Sequence, residues 1–225
     1  KKKMEGYNDI HKASKKGKGK ELINILRQKE KDIDERTGIE GETALHIACK
    51  NEQTQIVAIL IKEKANVNIK AKKNGLTAIQ YSIFMNTNIT IVNMLIKAKA
   101  KLDVIDPETG ETLLQGAIRK NKREIIEKII DTPKILNHQD LKGNTAIHTM
   151  FLYGREKDMH QYFFLKKERA TLIKFHLKNH EGYSPLYLAC AKKSLKMVIQ
   201  LLSYEKVIRS ARLSEKSPLH AICKA

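Results

Sequence analysis

The sequence contains no tryptophan, and only 5% of its 225 residues are aromatic. Its three cysteines include no C-x-x-C pair, so they build neither a disulfide framework nor a cysteine-based metal site. We therefore expect a reducing compartment, no metal and no cofactor. No apolar run approaches the roughly 20 residues that a membrane-crossing helix needs, and no signal peptide follows the N-terminal lysines. These absences predict a cytoplasmic protein without a transmembrane segment, with the nucleus as the alternative location.

Acidic side chains are also scarce relative to basic ones. Lys and Arg number 43 against 25 Asp and Glu, which gives a net charge of +18. Residues 1–31 alone carry eleven basic and four acidic side chains. A field of this sign attracts acidic proteins, anionic lipid headgroups or nucleic acid, so the composition leaves all three classes of partner open.

A short motif recurs through almost the whole chain. Its copies are GETALHIA (41–48), GLTAI (75–79), GETLL (110–114), GNTAIH (143–148), GYSPLYLA (182–189) and EKSPLH (215–220). Successive copies start 34, 35, 33, 39 and 33 residues apart, and a degenerate copy, IHKA, lies at residues 10–13. In its period and in its T-P-L-H-x-A signature the sequence resembles the ankyrin repeat family.

The resemblance implies an all-α solenoid of stacked helix-turn-helix units joined by hairpin-like loops. We expect one array over residues 1–225, with units near 4–37, 38–71, 72–106, 107–139, 140–178 and 179–211 and an incomplete unit at 212–225. The unit at 140–178 carries about six extra residues. Because the chain begins without Met and stops inside a first helix, we expect a piece of a longer protein.

The motif residues have local structural roles. Gly at the head of a copy permits the positive φ of a tight turn, and Thr or Ser two positions later can cap the first helix. Pro185 and Pro218 fit the first helical position. Apolar runs at 56–61, 91–96, 125–130 and 197–202 predict second helices. The KGKGK stretch at residues 16–20 lacks the spacing of a phosphate-binding loop and predicts a turn.

The histidines are explained better by structure than by chemistry. Four share one motif position, at which the resemblance implies hydrogen bonds to neighbouring loops: His11, His46, His148 and His220. His176 and His180 are four residues apart but have no H-E-x-x-H pattern, so they do not indicate zinc.

The remaining nucleophiles also have structural interpretations. Cys49, Cys190 and Cys223 share a small-residue position of the first helix, which favours core packing over reactivity. Ser184 lacks the second glycine of a nucleophile elbow and is expected to cap a helix. No catalytic set remains, so we expect no enzyme within these residues.

The resemblance further implies that a partner binds along the concave face, which the loop tips and the first helices form. Applied position by position, it places these residues there: Lys50, Asn51, Lys73, Phe84, Met85, Glu111, Arg119, Lys120, Lys142, Leu152, Tyr153, Tyr183 and Lys192. Basic side chains recur among them. Four members are large and apolar where repeats usually carry polar groups, which is typical of binding hot spots. Local repacking of irregular units is the alternative.

Half of the twelve aromatic residues cluster around the lengthened unit. They are Phe151, Tyr153, Tyr162, Phe163, Phe164 and Phe175. A lengthened helix pair over residues 158–175 would bury Phe163 and Phe164 in the stack, and a binding role of the insertion is the alternative.

The sequence thus predicts a monomeric protein-interaction module with a basic surface for an acidic protein partner. Its bias toward Lys, Ile and Asn resembles that of proteins from AT-rich intracellular bacteria, whose translocated effectors often contain such repeats, so the host cytosol is an expected location. Two alternatives remain open. One is binding of nucleic acid or anionic lipid through the lysine-rich N-terminal unit. The other is a targeting or scaffold role for a catalytic domain outside these residues.

Overall fold

Regular structure in the described part of this protein is helical, as the all-α prediction requires. The computed structural model describes residues 8–28, 32–86, 88–204 and 207–209. Contacts divide the chain into two compact units, at residues 1–108 and 109–225. Each unit is a stack of short helix pairs.

The described residues of the first unit form three helix pairs. Its helices are α1 (Asp9–Lys16), α2 (Gly19–Arg27), α3 (Ala44–Lys50), α4 (Thr54–Lys62), α5 (Ala78–Tyr81) and α6 (Ile89–Lys97). Helix α5 continues into a π-helical turn, Ser82–Asn86. The first helices α1, α3 and α5 pack in that order, and so do the second helices α2, α4 and α6.

The second unit continues the same pattern with more irregular elements. Its helices are α7 (Leu113–Arg119), α8 (Arg123–Ile129), α9 (Pro133–Leu136), α10 (Ala146–Leu152), α11 (Lys167–Leu172), α12 (Pro185–Ala191) and α13 (Leu195–Leu202). The first helices α7, α10 and α12 pack against one another in sequence, and α8 and α13 pack on α7 and α12.

A threonine or serine starts each of the first helices from α3 onward. Thr43 Oγ1 accepts from the backbone N–H of His46, and the His46 ring accepts from the backbone N–H of Thr43. Thr112 and Gln115 form the same reciprocal cap. Ser184 accepts from the N–H of Tyr187, which confirms its capping role. Each such cap contributes about 1 kcal/mol to helix stability.

Tight turns separate the two helices of a pair. Helix α1 ends at Lys16, Gly17 adopts φ 67°, and α2 begins at Gly19, which confirms the turn predicted from the KGKGK stretch. Asn121 takes the same left-handed conformation, at φ 55°, between α7 and α8. The second helix therefore folds back against the first.

The second helices supply the apolar side of each pair. In α4, Ile56, Val57 and Leu60 are fully buried. The same spacing recurs in α6 and α8, α13 buries Met197 and Leu201, and the predicted apolar runs are confirmed as helices. Burying one such side chain contributes roughly 1.5–3 kcal/mol, so these rows hold the stack together.

The insertion differs in detail from the lengthened helix pair predicted for residues 158–175. A 3-10 turn at Glu156–Asp158 and a π-helical turn at His160–Phe164 precede the short helix α11. The 8% exposed Arg169 ties the segment down, because its guanidinium donates to Asp131 and to the carbonyl of Tyr162. Short turns of different pitch accommodate the extra residues without lengthening the pair.

Candidate binding surface

Histidines at one motif position join their repeats to the loop of the next repeat. The Nε2–H of His46 donates to the carbonyl of Leu76, and the Nε2–H of His148 donates to the carbonyl of Tyr183 at 3.0 Å. His11 Nε2 lies 3.0 Å from the carbonyl oxygen of Glu42. These bonds confirm the structural role predicted for the motif histidines; His220 lies outside the described residues.

The loop tips are also joined through their backbones. The N–H of Lys73 donates to the carbonyl of Glu40 at 3.1 Å, and the N–H of His180 donates to the carbonyl of Lys142 at 2.9 Å. Gly143, at φ 75°, lies so close to the next loop that an added Cβ would be 2.6 Å from the His180 backbone nitrogen. Within each unit the loop tips therefore form a row, and each first helix begins directly after its tip.

In the first unit, the basic candidates lie at the surface and have acidic neighbours. Lys50 Nζ lies 3.1 Å from Glu42 Oε1 and 5.6 Å from the centre of the Tyr81 ring. Lys73 Nζ lies 2.7 Å from Glu40 Oε1, a hydrogen bond that raises the pKa of Lys73. These carboxylates reduce the positive charge that the two lysines present.

The other candidates of the first unit differ in exposure. Asn51 is exposed but donates from Nδ2 to the carbonyl of Ile47 at 2.8 Å. Met85 is 48% exposed, as expected for a surface residue. Phe84, expected beside it, is only 7% exposed, so its placement on the surface was wrong. The π-helical turn at Ser82–Asn86 has more residues per turn than the α-helix assumed in the prediction, and this turns Phe84 into the core.

In the second unit, the basic candidate Arg119 forms a salt bridge with the acidic candidate Glu111. Arg119 donates from Nε and Nη2 to the carboxylate of Glu111, at 3.2 and 2.9 Å. Lys120, Lys142 and Lys192 are exposed, and no carboxylate in the described part of the chain forms an ion pair with them. The unneutralised positive charge of this surface thus comes from the three lysines.

Two adjacent apolar side chains lie at the C-terminal end of α10. Leu152 is 51% exposed and Tyr153 is 46% exposed. Lys120 and Lys192 occupy the equivalent ends of α7 and α12, the two helices that pack against α10. The fold therefore brings an apolar pair and flanking cations to one edge of the second unit.

Tyr183, the remaining candidate, is half-buried. Its ring stacks on that of Tyr187 with centroids 4.5 Å apart and an interplanar angle of 11°. Its carbonyl accepts the hydrogen bond from His148, so Tyr183 serves the repeat junction as well as the surface.

Two exposed apolar residues at the loop tips were not among the candidates. Ile39 is 91% exposed and Leu141 is 64% exposed, each two residues before the motif glycine. Lys73 and His180 occupy the same position in other tips. The sequence did contain a signal for their exposure, because each is an aliphatic residue at a position where other copies are polar.

The aromatic cluster of the insertion is core. Phe151, Phe163 and Tyr162 are at most 2% exposed. Phe164 stacks on Phe175 with centroids 5.1 Å apart. The expected burial of Phe163 and Phe164 is confirmed, and only Tyr153 of the original six is largely exposed.

The reactive or metal-binding side chains considered in the sequence analysis do not form a chemical site. Burial raises the pKa of the Cys49 thiol to about 12 and also raises the pKa of Cys190, which fits the core packing predicted for them; Cys223 lies outside the described residues. No cluster of three His, Cys, Asp or Glu side chains suited to a metal occurs in residues 8–28, 32–86, 88–204 and 207–209. In the lysine-rich first pair, Lys12 and Lys18 lie near Asp9 and Glu21.

Comparisons with known proteins agree with this architecture. Residues 10–106 match the family model described as ankyrin repeats in three copies. A chain from the solved complex of a predatory endopeptidase of Bdellovibrio bacteriovorus with an immunity protein is similar, with a TM-score of 0.67. It is 22% identical, and the match covers 98% of this chain and 99% of that one. At this identity the likeness shows the fold alone.

None of the helices that the structure describes is both long and apolar enough to cross a bilayer. The capped helix pairs, the hydrogen bonds from the motif histidines to the next loop and the family match all lead to one assignment. Residues 10–106 of this chain belong to the ankyrin repeat family.

Proposed function

We propose that this chain binds an acidic segment of a protein partner along the loop tips and the ends of its first helices. Ankyrin repeats are protein interaction modules, and the similar chain comes from a complex of an endopeptidase with an immunity protein. The observation that carries the proposal is the exposed pair Leu152 and Tyr153, flanked by Lys120 and Lys192 on the neighbouring helices. Apolar anchors surrounded by polar groups are the usual centre of a binding surface.

The charges of the second unit support an acidic partner. Lys120, Lys142 and Lys192 are exposed without a carboxylate partner among residues that the structure describes. A partner's Asp or Glu would gain favourable interactions with all three, and long-range attraction by the +18 chain would speed association. Arg119 contributes less, because Glu111 already holds its guanidinium.

The first unit, taken by itself, presents a weaker surface of similar composition. Lys50 and Lys73 carry neighbouring carboxylates, and Met85 supplies one exposed apolar side chain. We expect the second unit to supply most of the affinity. This arrangement would suit a translocated effector in a host cytosol, or the targeting part of a longer enzyme, and the identity of the partner decides between the two.

Charge reversal tests the proposal. The partner is captured with the tagged wild-type chain from the cells that produce it, and its dissociation constant is measured by titration calorimetry. The triple variant Lys120→Glu, Lys142→Glu, Lys192→Glu should weaken binding by about 10-fold or more, with a smaller effect at high salt.

The matched control changes the same net charge on the second helices. Lys62→Glu, Lys97→Glu, Lys128→Glu alters three exposed lysines of α4, α6 and α8 and should change the dissociation constant far less. Equal effects of the two triple variants, or no effect of the first, would refute the proposed surface.

A further inference from the structure

The first helices of the second unit end at equivalent positions. Helices α7, α10 and α12 each have seven residues, and each begins directly after its capping Thr or Ser. The residue that follows the helix is therefore the same structural position in three consecutive repeats, and it is Lys120, Tyr153 or Lys192. An aromatic ring thus lies in the middle repeat, with a cation in the repeat on either side.

The end of α10 is exposed although both of its neighbours are in place. Helix α10 packs on α7, which precedes it, and on α12, which follows it. With these contacts made, Leu152 is still 51% exposed and Tyr153 is 46% exposed. Stacking of the repeats therefore does not cover this pair.

The apolar part of this surface is one repeat wide. At the position of Leu152, α7 carries Arg119 and α12 carries Ala191. Glu111 holds the Arg119 guanidinium, and the exposed Ala191 is small, so it leaves room beside Leu152 on the α12 side. The surface accordingly suits a single apolar anchor seated against Leu152 and Tyr153.

The spacing of the repeats matches the pitch of a polyproline II helix. Packed helices have axes about 8–10 Å apart, so Lys120 and Lys192 each lie roughly that far from Tyr153 along the stack. The polyproline II conformation advances about 3.1 Å per residue with about three residues per turn, so every third side chain points the same way, about 9 Å from the last. When the apolar residue of such a segment lies on Leu152 and Tyr153, the residues three positions before and after it reach the two lysines.

We propose that the helix-end row, formed by Lys120, Leu152, Tyr153 and Lys192, binds a polyproline II segment of a protein partner. The segment carries Asp or Glu three positions before and three positions after an apolar residue. Its carboxylates pair with the two lysines, which form no ion pair among the described residues, and its apolar residue packs on the exposed pair of α10. This inference rests on the proposed function and specifies the chemistry of the partner at that surface.

Other occupants fit the helix-end row less well. A β-strand presents successive side chains to opposite faces, so residues three positions from the anchor would point away from the lysines. A partner α-helix needs an apolar row with anchors at i, i+3 or i+4 and i+7, and the cations on either side interrupt such a row. Single-stranded nucleic acid stacks successive bases on aromatic rings, whereas this row contains one ring.

Two peptides of identical composition test the spacing. The first, Gly-Asp-Pro-Pro-Leu-Pro-Pro-Asp-Gly, has its carboxylates three positions from the leucine, and its prolines favour the polyproline II conformation. The second, Gly-Pro-Pro-Asp-Leu-Asp-Pro-Pro-Gly, has them next to the leucine. Each peptide carries a rhodamine label, and fluorescence anisotropy with the full wild-type chain gives its dissociation constant. We expect the first peptide to bind about 5-fold more tightly than the second at low salt.

Double-mutant cycles assign each carboxylate to its lysine. Lys120→Met and Lys192→Met each remove one charge and keep the length of the side chain, and Lys128→Met on α8 is the matched control. Replacing one Asp of the first peptide by Asn should couple with one of the two row lysines by about 3-fold, and not with Lys128. Leu152→Ser should weaken the first peptide by about 5-fold. Unchanged far-UV circular dichroism and unfolding midpoints would show that the variants fold.

Three results with the peptides would overturn the inference: equal binding of the two peptides, no binding of the first at millimolar concentration, or no coupling of either Asp with Lys120 or Lys192. A labelled dodecathymidylate provides a further check. If it binds more tightly than the first peptide and loses that binding in Tyr153→Ala, the row is a nucleic-acid site and the inference is wrong.

The captured partner separates this inference from the proposed function. If the Lys120, Lys142, Lys192 triple variant weakens partner binding but the two peptides bind equally, the surface is correct and the geometry of the segment is wrong. If the triple variant leaves partner binding unchanged but the first peptide is preferred, the row binds such segments and the proposed function is wrong for that partner.

Discussion

The imidazole of His46 lies with its Nε2 3.1 Å from the carbonyl oxygen of Leu76. On its other side, Nδ1 accepts from the backbone N–H of Thr43 at 3.2 Å. Because a carbonyl oxygen only accepts and Nδ1 faces a backbone donor, the ring is neutral with its proton on Nε2. One side chain thus caps its own helix and holds the next loop, 30 residues away.

Acidification should destabilise the protein through this group. Burial lowers the pKa of His46 from 6.5 to about 4, and it lowers the pKa of His148 as well. Between these values the unfolded chain binds a proton that the folded chain excludes, so stability is fully present above pH 6.5 and falls as the pH drops toward 4. The loss from His46 is roughly 3 kcal/mol. Urea unfolding at a series of pH values measures it.

Glutamine provides a control that does not titrate. Gln115 makes the same two contacts, because its Nε2 donates to the carbonyl of Asn144 at 2.8 Å and its Oε1 accepts from the N–H of Thr112 at 3.0 Å. His46→Gln should therefore stay folded near neutral pH and lose part of the pH dependence. An unchanged slope of stability against pH in this variant would contradict the assignment.

The loop tips should tolerate no side chain where they touch. Gly143→Ala places a Cβ 2.6 Å from the backbone nitrogen of His180, in a residue whose φ is 75°. Strain and overlap together should lower the free energy of unfolding by about 3 kcal/mol. Urea denaturation of the purified variant measures this change.

Gly154 separates the cost of backbone strain from the cost of steric overlap. Its φ of 65° is similar, but nothing lies within 4 Å of an added Cβ. Gly154→Ala should cost only the conformational part, about 1 kcal/mol. Equal losses in the two variants would mean that the contact between the tips contributes nothing.

The insertion should behave as core. Phe163 is fully buried, so Phe163→Ala should lower the free energy of unfolding by about 3–5 kcal/mol. Leu165, two residues later, is 67% exposed, and Leu165→Ala should stay within about 0.5 kcal/mol of wild type. Thermal or urea unfolding checks both. A mild effect of Phe163→Ala would point back to the rejected binding role of this ring.

Local features of the fold were predictable because they depend on residues close together in sequence. Thr43 and His46 lie three residues apart, and Gly17 sits in a turn between two lysine-flanked helix ends. Phe84 was misplaced because the sequence does not reveal where an α-helix widens into a π-helical turn. The insertion was misjudged in the same way: Phe163 is buried as predicted, but short turns bury it and not the lengthened helix pair on which that prediction rested.

Two of the salt bridges between candidate residues could have been predicted from the repeat pattern. Glu42 and Lys50 are eight residues apart, and so are Glu111 and Arg119, each pair at the same motif positions. The second residue of the motif thus lies beside the end of the first helix. The net charge does not reveal these pairs, so the prediction from net charge overstated the positive charge that Lys50 and Arg119 present.

The exposed apolar pair gives the most direct test of the proposed binding surface. Leu152→Ser, Tyr153→Ser and the control Ile105→Ser, Leu165→Ser each remove two exposed apolar side chains, and the partner's dissociation constant is measured by titration calorimetry. The account predicts a weakening of about 100-fold for the first double variant and little change for the control. Wild-type affinity in the Leu152 and Tyr153 variant, with its fold intact by circular dichroism, would contradict it.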